Sequence, residues 1–232
     1  MDTTLNRGDI ARPRFTRSPA RWAWWGAAAG ALGLFANLAA SHGPLTDATA
    51  AVAVADIDRG AQHIGAVAGM ASFLCLLLAA GGWRRWAASG GLAAQTLAPA
   101  LTASAAIVLL ATGLRGGLAE YLPGGINEDN FADEGLYVLF MIHDTAPWFA
   151  WWGVVIAAGL LAWLSFTRRV VPLWLGVFSA VAVVPPVLIM ALTGAVAIAG
   201  LIGPIWLAAA SVVVAVRGLP APLGSAEAPS IS

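Results

Sequence analysis

The residues best suited to chemistry are the three histidines, His42, His63 and His143, together with Asp144 directly after the last. His42 ends the first apolar run, His63 begins the second, and His143 lies in the early part of the fourth, so an alternating topology puts all three near one membrane face. Three imidazoles with a carboxylate suit zinc or copper, which accept neutral nitrogen and carboxylate oxygen. That makes His42, His63 and His143 the candidate metal or haem ligands. The same rings could move protons, since histidine titrates near neutrality, and His143 with Asp144 is the candidate catalytic pair. No His-x-His, His-x3-His or His-Glu-x2-His spacing supports either use, and adjacent helical residues project about 100° apart. A histidine at a membrane boundary is ordinary, so no cofactor is expected.

Charged residues gather beside the histidines. Asp58 and Arg59 enter the second apolar run, and Arg115 leaves the third, which gives a candidate ligand-binding set on the same rim. Asp144 is expected to pair with Arg115 or Arg59. At depth within the apolar runs the polar groups are neutral, among them Asn37, Gln95, Thr102, Ser104, Ser179 and Ser211. Ion-coupled transport usually needs intramembrane charge, so this pattern weighs against it. Cys75 is alone, which excludes an intrachain disulfide or a thiolate cluster. There is no phosphate loop and no Gly-x-Ser-x-Gly elbow. A retinal Schiff base is excluded by the absence of lysine.

The elements that must carry these residues are membrane helices. The 232 residues are 59% hydrophobic and only 10% charged, whereas soluble domains carry about a quarter of their residues as charged ones. Six apolar runs are long enough to span, at about 22–40, 62–82, 91–114, 136–166, 172–192 and 196–216. The fourth has about 31 residues and so about 46 Å of helix, so it should project, tilt or bend at Pro147. The stretch 115–134, with Pro123-Gly124-Gly125 and five acidic residues, reads as loop. Thr193-Gly194 should make a tight turn between antiparallel neighbours. The expected fold is therefore an all-α polytopic bundle over 22–217, with a basic disordered arm at 1–21 and a disordered tail at 218–232.

Orientation follows from arginine, the only basic residue type besides histidine. Ten of the twelve arginines fall in the amino-terminal arm, Arg84-Arg85, Arg168-Arg169 and Arg217. Cytoplasmic retention of positive charge places these segments, and both termini, inside. The acidic loops then lie outside. Tryptophans 22, 24, 25, 83, 86 and 174 should mark one boundary and 148, 151 and 152 the other. Gly26, Gly30 and Gly33 form a small-residue face for packing within the bundle or between two copies. Pro185-Pro186 and Pro204 should bend the last two spans. The basic arm suits anionic lipid headgroups better than nucleic acid.

The arm before a small-residue first span, the acidic approach to Asp58-Arg59 and His63, and the step Arg168-Arg169-Val170-Val171-Pro172-Leu173-Trp174-Leu175-Gly176 carry a resemblance. The chain resembles uncharacterised six-helix bacterial integral membrane proteins of the domain-of-unknown-function type. The resemblance implies no activity or catalytic residue. The expectation is a multi-pass protein of the bacterial cytoplasmic membrane that binds a small molecule or protein at its outer rim. The alternatives are a membrane enzyme or metal protein using the histidines, and a small-molecule transporter using the bent fifth and sixth spans.

Overall fold

The computed structural model describes residues 20–39, 50–88 and 90–219. Its helices are α1 (Ala23–Ala39), α2 (Ala50–Ala55), α3 (Arg59–Ala87), α4 (Leu92–Tyr121), α5 (Asp133–Phe149), α6 (Trp152–Arg168), α7 (Leu173–Thr193) and α8 (Ala199–Arg217), with a short 3-10 turn at Glu128–Asn130. Among the described residues there is no strand. Most of the amino-terminal arm, the tail from residue 220, and His42 lie outside the described residues.

Five helical stretches are long and apolar enough to cross a membrane: α3, α4, the joined α5–α6 stretch, α7 and α8. The protein is thus a helical membrane protein with several spans. Described over 17 residues, α1 covers about 25 Å and packs between α3 and α8.

Helix ends follow local chemistry. Asp58 caps α3, its carboxylate accepting from the Ala61 N–H at 3.1 Å. Leu122 turns to extended backbone (ψ 158°) immediately before Pro123 and stops α4. Gly194 ends α7 at φ 74°, the left-handed conformation that glycine adopts without strain. The fourth apolar run does break: α5 ends at Phe149 and α6 starts at Trp152, a few residues beyond Pro147.

Packing is that of a bundle solvated by lipid. Large side chains such as Val177, Val181, Val184 and Leu188 face outward, while much of the interior is alanine, glycine and serine. Small interior residues let backbones approach where no hydrophobic force drives helices together. A Cβ at Gly26 would strike Ser211, at Gly30 Pro204 and Ala208, and at Gly33 the Trp151 ring. The glycine face of α1 is therefore used inside the chain. The largest set of contacts of α8 is with α1, whereas α7 meets α8 more lightly and packs mainly on α6. Trp206 Nε1 still donates to Ser179 Oγ at 3.0 Å and joins α8 to α7.

The described arginines other than Arg59 and Arg115 gather at one end of the bundle. Trp22 meets Trp83 edge-on at 5.2 Å, the Arg168 guanidinium lies by Gly91, and Arg217 sits 5.4 Å over the Trp174 ring. The tryptophan pattern is less regular than the sequence suggests. Trp83, Trp86 and Trp151 are buried within the protein, because small residues on neighbouring helices make room for their rings.

Candidate ligand pocket around Arg115

The sequence places Arg115 at the start of a loop, but α4 runs on for six more residues to Tyr121. Leu118 and Leu122 account for the extension by packing with Val54, Ile57, Leu136 and Phe140. The arginine is carried into the bundle and is only 4% exposed. Arg115 is therefore an interior residue and not a rim residue.

Its surroundings are built for it. Gly65 and Gly69 lie one turn apart on the face of α3 towards α4. A Cβ at Gly65 would come within 2.7 Å of Arg115 Nη1, and one at Gly69 would collide with Thr112 Oγ1. The two glycines clear the space for a guanidinium and a hydroxyl.

Arg115 Nε donates to His143 Nε2 at 3.0 Å, and Nη1 donates to the carbonyl of Ala36 in the last described turn of α1. Arginine is only a donor, so His143 Nε2 must carry a lone pair and the imidazole is neutral with its proton on Nδ1. Helix-end carbonyls supply partial negative charge. No carboxylate among the described residues forms an ion pair with Arg115. A guanidinium in an apolar interior without a counter-charge is costly, and such residues mark functional sites more often than structural ones.

Beside the guanidinium is a small cavity of about 20 Å³, bordered by Gly33, Ala36, Gly69, Thr112 and Trp151. Asn37 also borders it, but its Nδ2 donates to Gly200 O at 2.9 Å and to Pro147 O at 3.4 Å. The first carbonyl has lost its helical donor because Pro204 has no N–H, and the second lies at the break before α6. The amide repairs both. Ser104 does similar work for α6, accepting the Val154 N–H at 3.0 Å.

Gln62 is the other unexpected group. It is fully buried, and neither its Nε2 nor its Oε1 has a hydrogen-bond partner among the described residues. It lies one turn before Gly65 on the same face of α3. A buried amide without partners costs about 1–3 kcal/mol. The sequence signal for it was the spacing Gln62, Gly65, Gly69, which aligns a polar group with two small ones.

The remaining candidates disperse. Asp58 is committed to capping α3. Arg59 is exposed, with its Nε near Gly124 of the acidic loop. His63 is exposed on a groove bordered by Leu32, Phe35, Ile64 and Val67. His143 is buried against Arg115 and 6.4 Å from the Phe140 ring, whereas Asp144 is exposed. The expected pairing of Asp144 with Arg115 or Arg59 does not form among the described residues, because Asp144 projects from a different side of α5 than His143. No group of three or more histidine, cysteine or acidic residues able to hold a metal occurs among the described residues. The loop acids are partly used locally: Glu128 accepts from the Gly124 N–H, and Glu120 from the Asn127 side chain.

Gln95, expected to serve a freed carbonyl or a neighbouring helix, donates to Gly90 O at 2.8 Å, just before α4 begins. A wide cleft of about 860 Å³ lies between α3 and α4 near this point, with exposed Arg84 on its border. Compared with known families, curated proteins and solved structures, the chain has no match.

Proposed function

We propose that the protein is a six-span protein of the bacterial cytoplasmic membrane, with the arginine end of the bundle inside, that binds a small ligand in the Arg115 pocket near its outer end. The sixth span is α1, whose length is at the short limit for crossing. The arginine asymmetry supports the orientation. This arrangement is that of the six-helix bacterial proteins the sequence resembles.

The observation that carries the ligand reading is the burial of Arg115 against a neutral imidazole and a carbonyl, with no carboxylate joined to it among the described residues. The apolar group of Leu118, Leu122, Leu136 and Phe140 lies on its loop side, and an apolar surrounding strengthens any charge interaction made there. The histidine lone pair is spent on the guanidinium, so the arrangement favours binding over proton transfer.

The test is thermal unfolding of the full-length purified protein, after exhaustive dialysis, against a panel of small anions and neutral solutes. At least one should raise the midpoint saturably in the wild type and fail to do so in Arg115→Met. If no solute behaves this way, the ligand reading falls. Orientation is tested separately with Asp129→Cys and Arg168→Cys and an impermeant thiol reagent added from outside. Labelling only at position 129 is expected, and the reverse pattern would overturn the topology.

A further inference from the structure

We infer that the Arg115 pocket is a site for one monovalent, halide-sized anion, with chloride as its natural occupant. This inference rests on the ligand-binding reading above and gives it a chemical class. Three features of the pocket point to the same occupant.

The first is charge. Arg115 is 4% exposed, and its hydrogen bonds go to a neutral ring nitrogen and one carbonyl. Counting the described residues, one negative charge balances the site, and a divalent anion would overcompensate it.

The second is size. The cavity of about 20 Å³ holds a single water-sized body, since one water needs roughly 10–15 Å³ on this measure. Phosphate, sulfate and most metabolites are too large, while a halide is a single atom only slightly larger than water.

The third is the wall. Among the described residues its donors are the guanidinium and the Thr112 hydroxyl, and apart from Asn37 the rest of the wall is glycine, alanine, Val108, Pro147 and the Trp151 ring, with no carboxylate. Asn37 gives its amide hydrogens to the backbone carbonyls of Pro147 and Gly200. Nη2 of Arg115 makes no hydrogen bond to a described residue. A soft, weakly hydrated monovalent anion suits a cavity with few donors and an apolar wall, because it loses least on leaving water.

The test uses the full-length protein in detergent micelles at constant ionic strength, with sodium gluconate replaced stepwise by chloride, bromide, formate or a neutral solute. Chloride and bromide should raise the unfolding midpoint with saturation. Equilibrium dialysis with radiolabelled chloride should find one ion per chain, displaced by bromide and not by gluconate. Arg115→Met should abolish both signals. Thr112→Val keeps the shape of the side chain and removes one donor to a charge, so it should weaken chloride binding about tenfold; it decides the matter if Arg115→Met does not fold.

Chloride behaving like gluconate in both measurements overturns the assignment, as does an undiminished chloride shift in Arg115→Met. If halides fail but formate or a neutral solute stabilises the wild type and not Arg115→Met, the halide assignment falls and the ligand reading stands. If nothing in the panel stabilises the protein, both fall.

Discussion

Arg84 and Arg115 lie on adjacent, tightly packed helices, at opposite ends of the bundle, and their circumstances differ completely. Arg84 is exposed at the border of a wide cleft, next to Arg85 and without an acidic residue in either flanking helix up to Glu120. Arg115 is enclosed by four helices and fixed by two hydrogen bonds. At the first end polar groups turn outward to meet water and headgroups. At the second they turn inward, and the protein itself must solvate them. The same side chain is a topological marker in one place and a binding group in the other. Depth and partners make the difference, not residue type.

The contrast can be broken by substitution, and the largest effect should come from Asn37, the inward-turned amide that serves two backbone carbonyls. Asn37→Leu leaves both unpaired and should cost about 2–6 kcal/mol, at roughly 1–3 kcal/mol for each buried acceptor, read by denaturant unfolding in micelles. A loss below about 1 kcal/mol would mean that water or a neighbouring group satisfies those carbonyls instead.

Arg115→Met should have a smaller net effect when no anion is supplied. Removing the desolvated charge relieves several kcal/mol of burial penalty but leaves the Ala36 carbonyl and His143 Nε2 without a donor, at roughly 1–3 kcal/mol each, so the two should offset to within about 2 kcal/mol. The variant should fall further below wild type once a binding anion saturates the pocket. A uniform loss of stability in all salts would show Arg115 to be purely structural.

Gln62→Leu should raise stability by about 1–2 kcal/mol, because the amide it removes has no partner among the described residues. A decrease would show that Gln62 contacts the ligand or an ordered water. The smallest effect belongs to the other end, where Arg84→Gln should stay within about 0.5 kcal/mol as an exposed substitution.

Five of the six expected spans were legible because their apolar runs are long and carry almost no charge, and Pro147 announced the region of the break in the fourth. Arg115 was misread for a physical reason. Gly116 and Gly117 follow it, then Glu120 and a Pro-Gly-Gly turn, and this composition resembles a loop whatever the helix does. What extends α4 is packing against α5 and an apolar cluster shared with Val54 and Ile57, residues distant in the chain. The pocket was illegible for the same reason. Arg115 reaches its partners across 28 and 79 residues, and the glycines that make room for it stand on a third helix. Sequence composition placed the histidines near the same end, but only side-chain direction separates the buried His143 from the outward His63.

The Asn37 amide also bears on the order in which the chain can be assembled. It belongs to α1, yet one of its acceptors, Gly200, lies 163 residues later on α8. During insertion this amide must face lipid, a neighbouring chain or trapped water until α5 brings the Pro147 carbonyl, and its nearer acceptor comes only with α8, which arrives with a carbonyl that Pro204 has left open. Each defect is harmless only in the presence of the other. Closure of the bundle is therefore a long-range event that joins α1 to α8, and a nascent chain lacking α8 carries a polar group only partly paired, which marks it as unfinished.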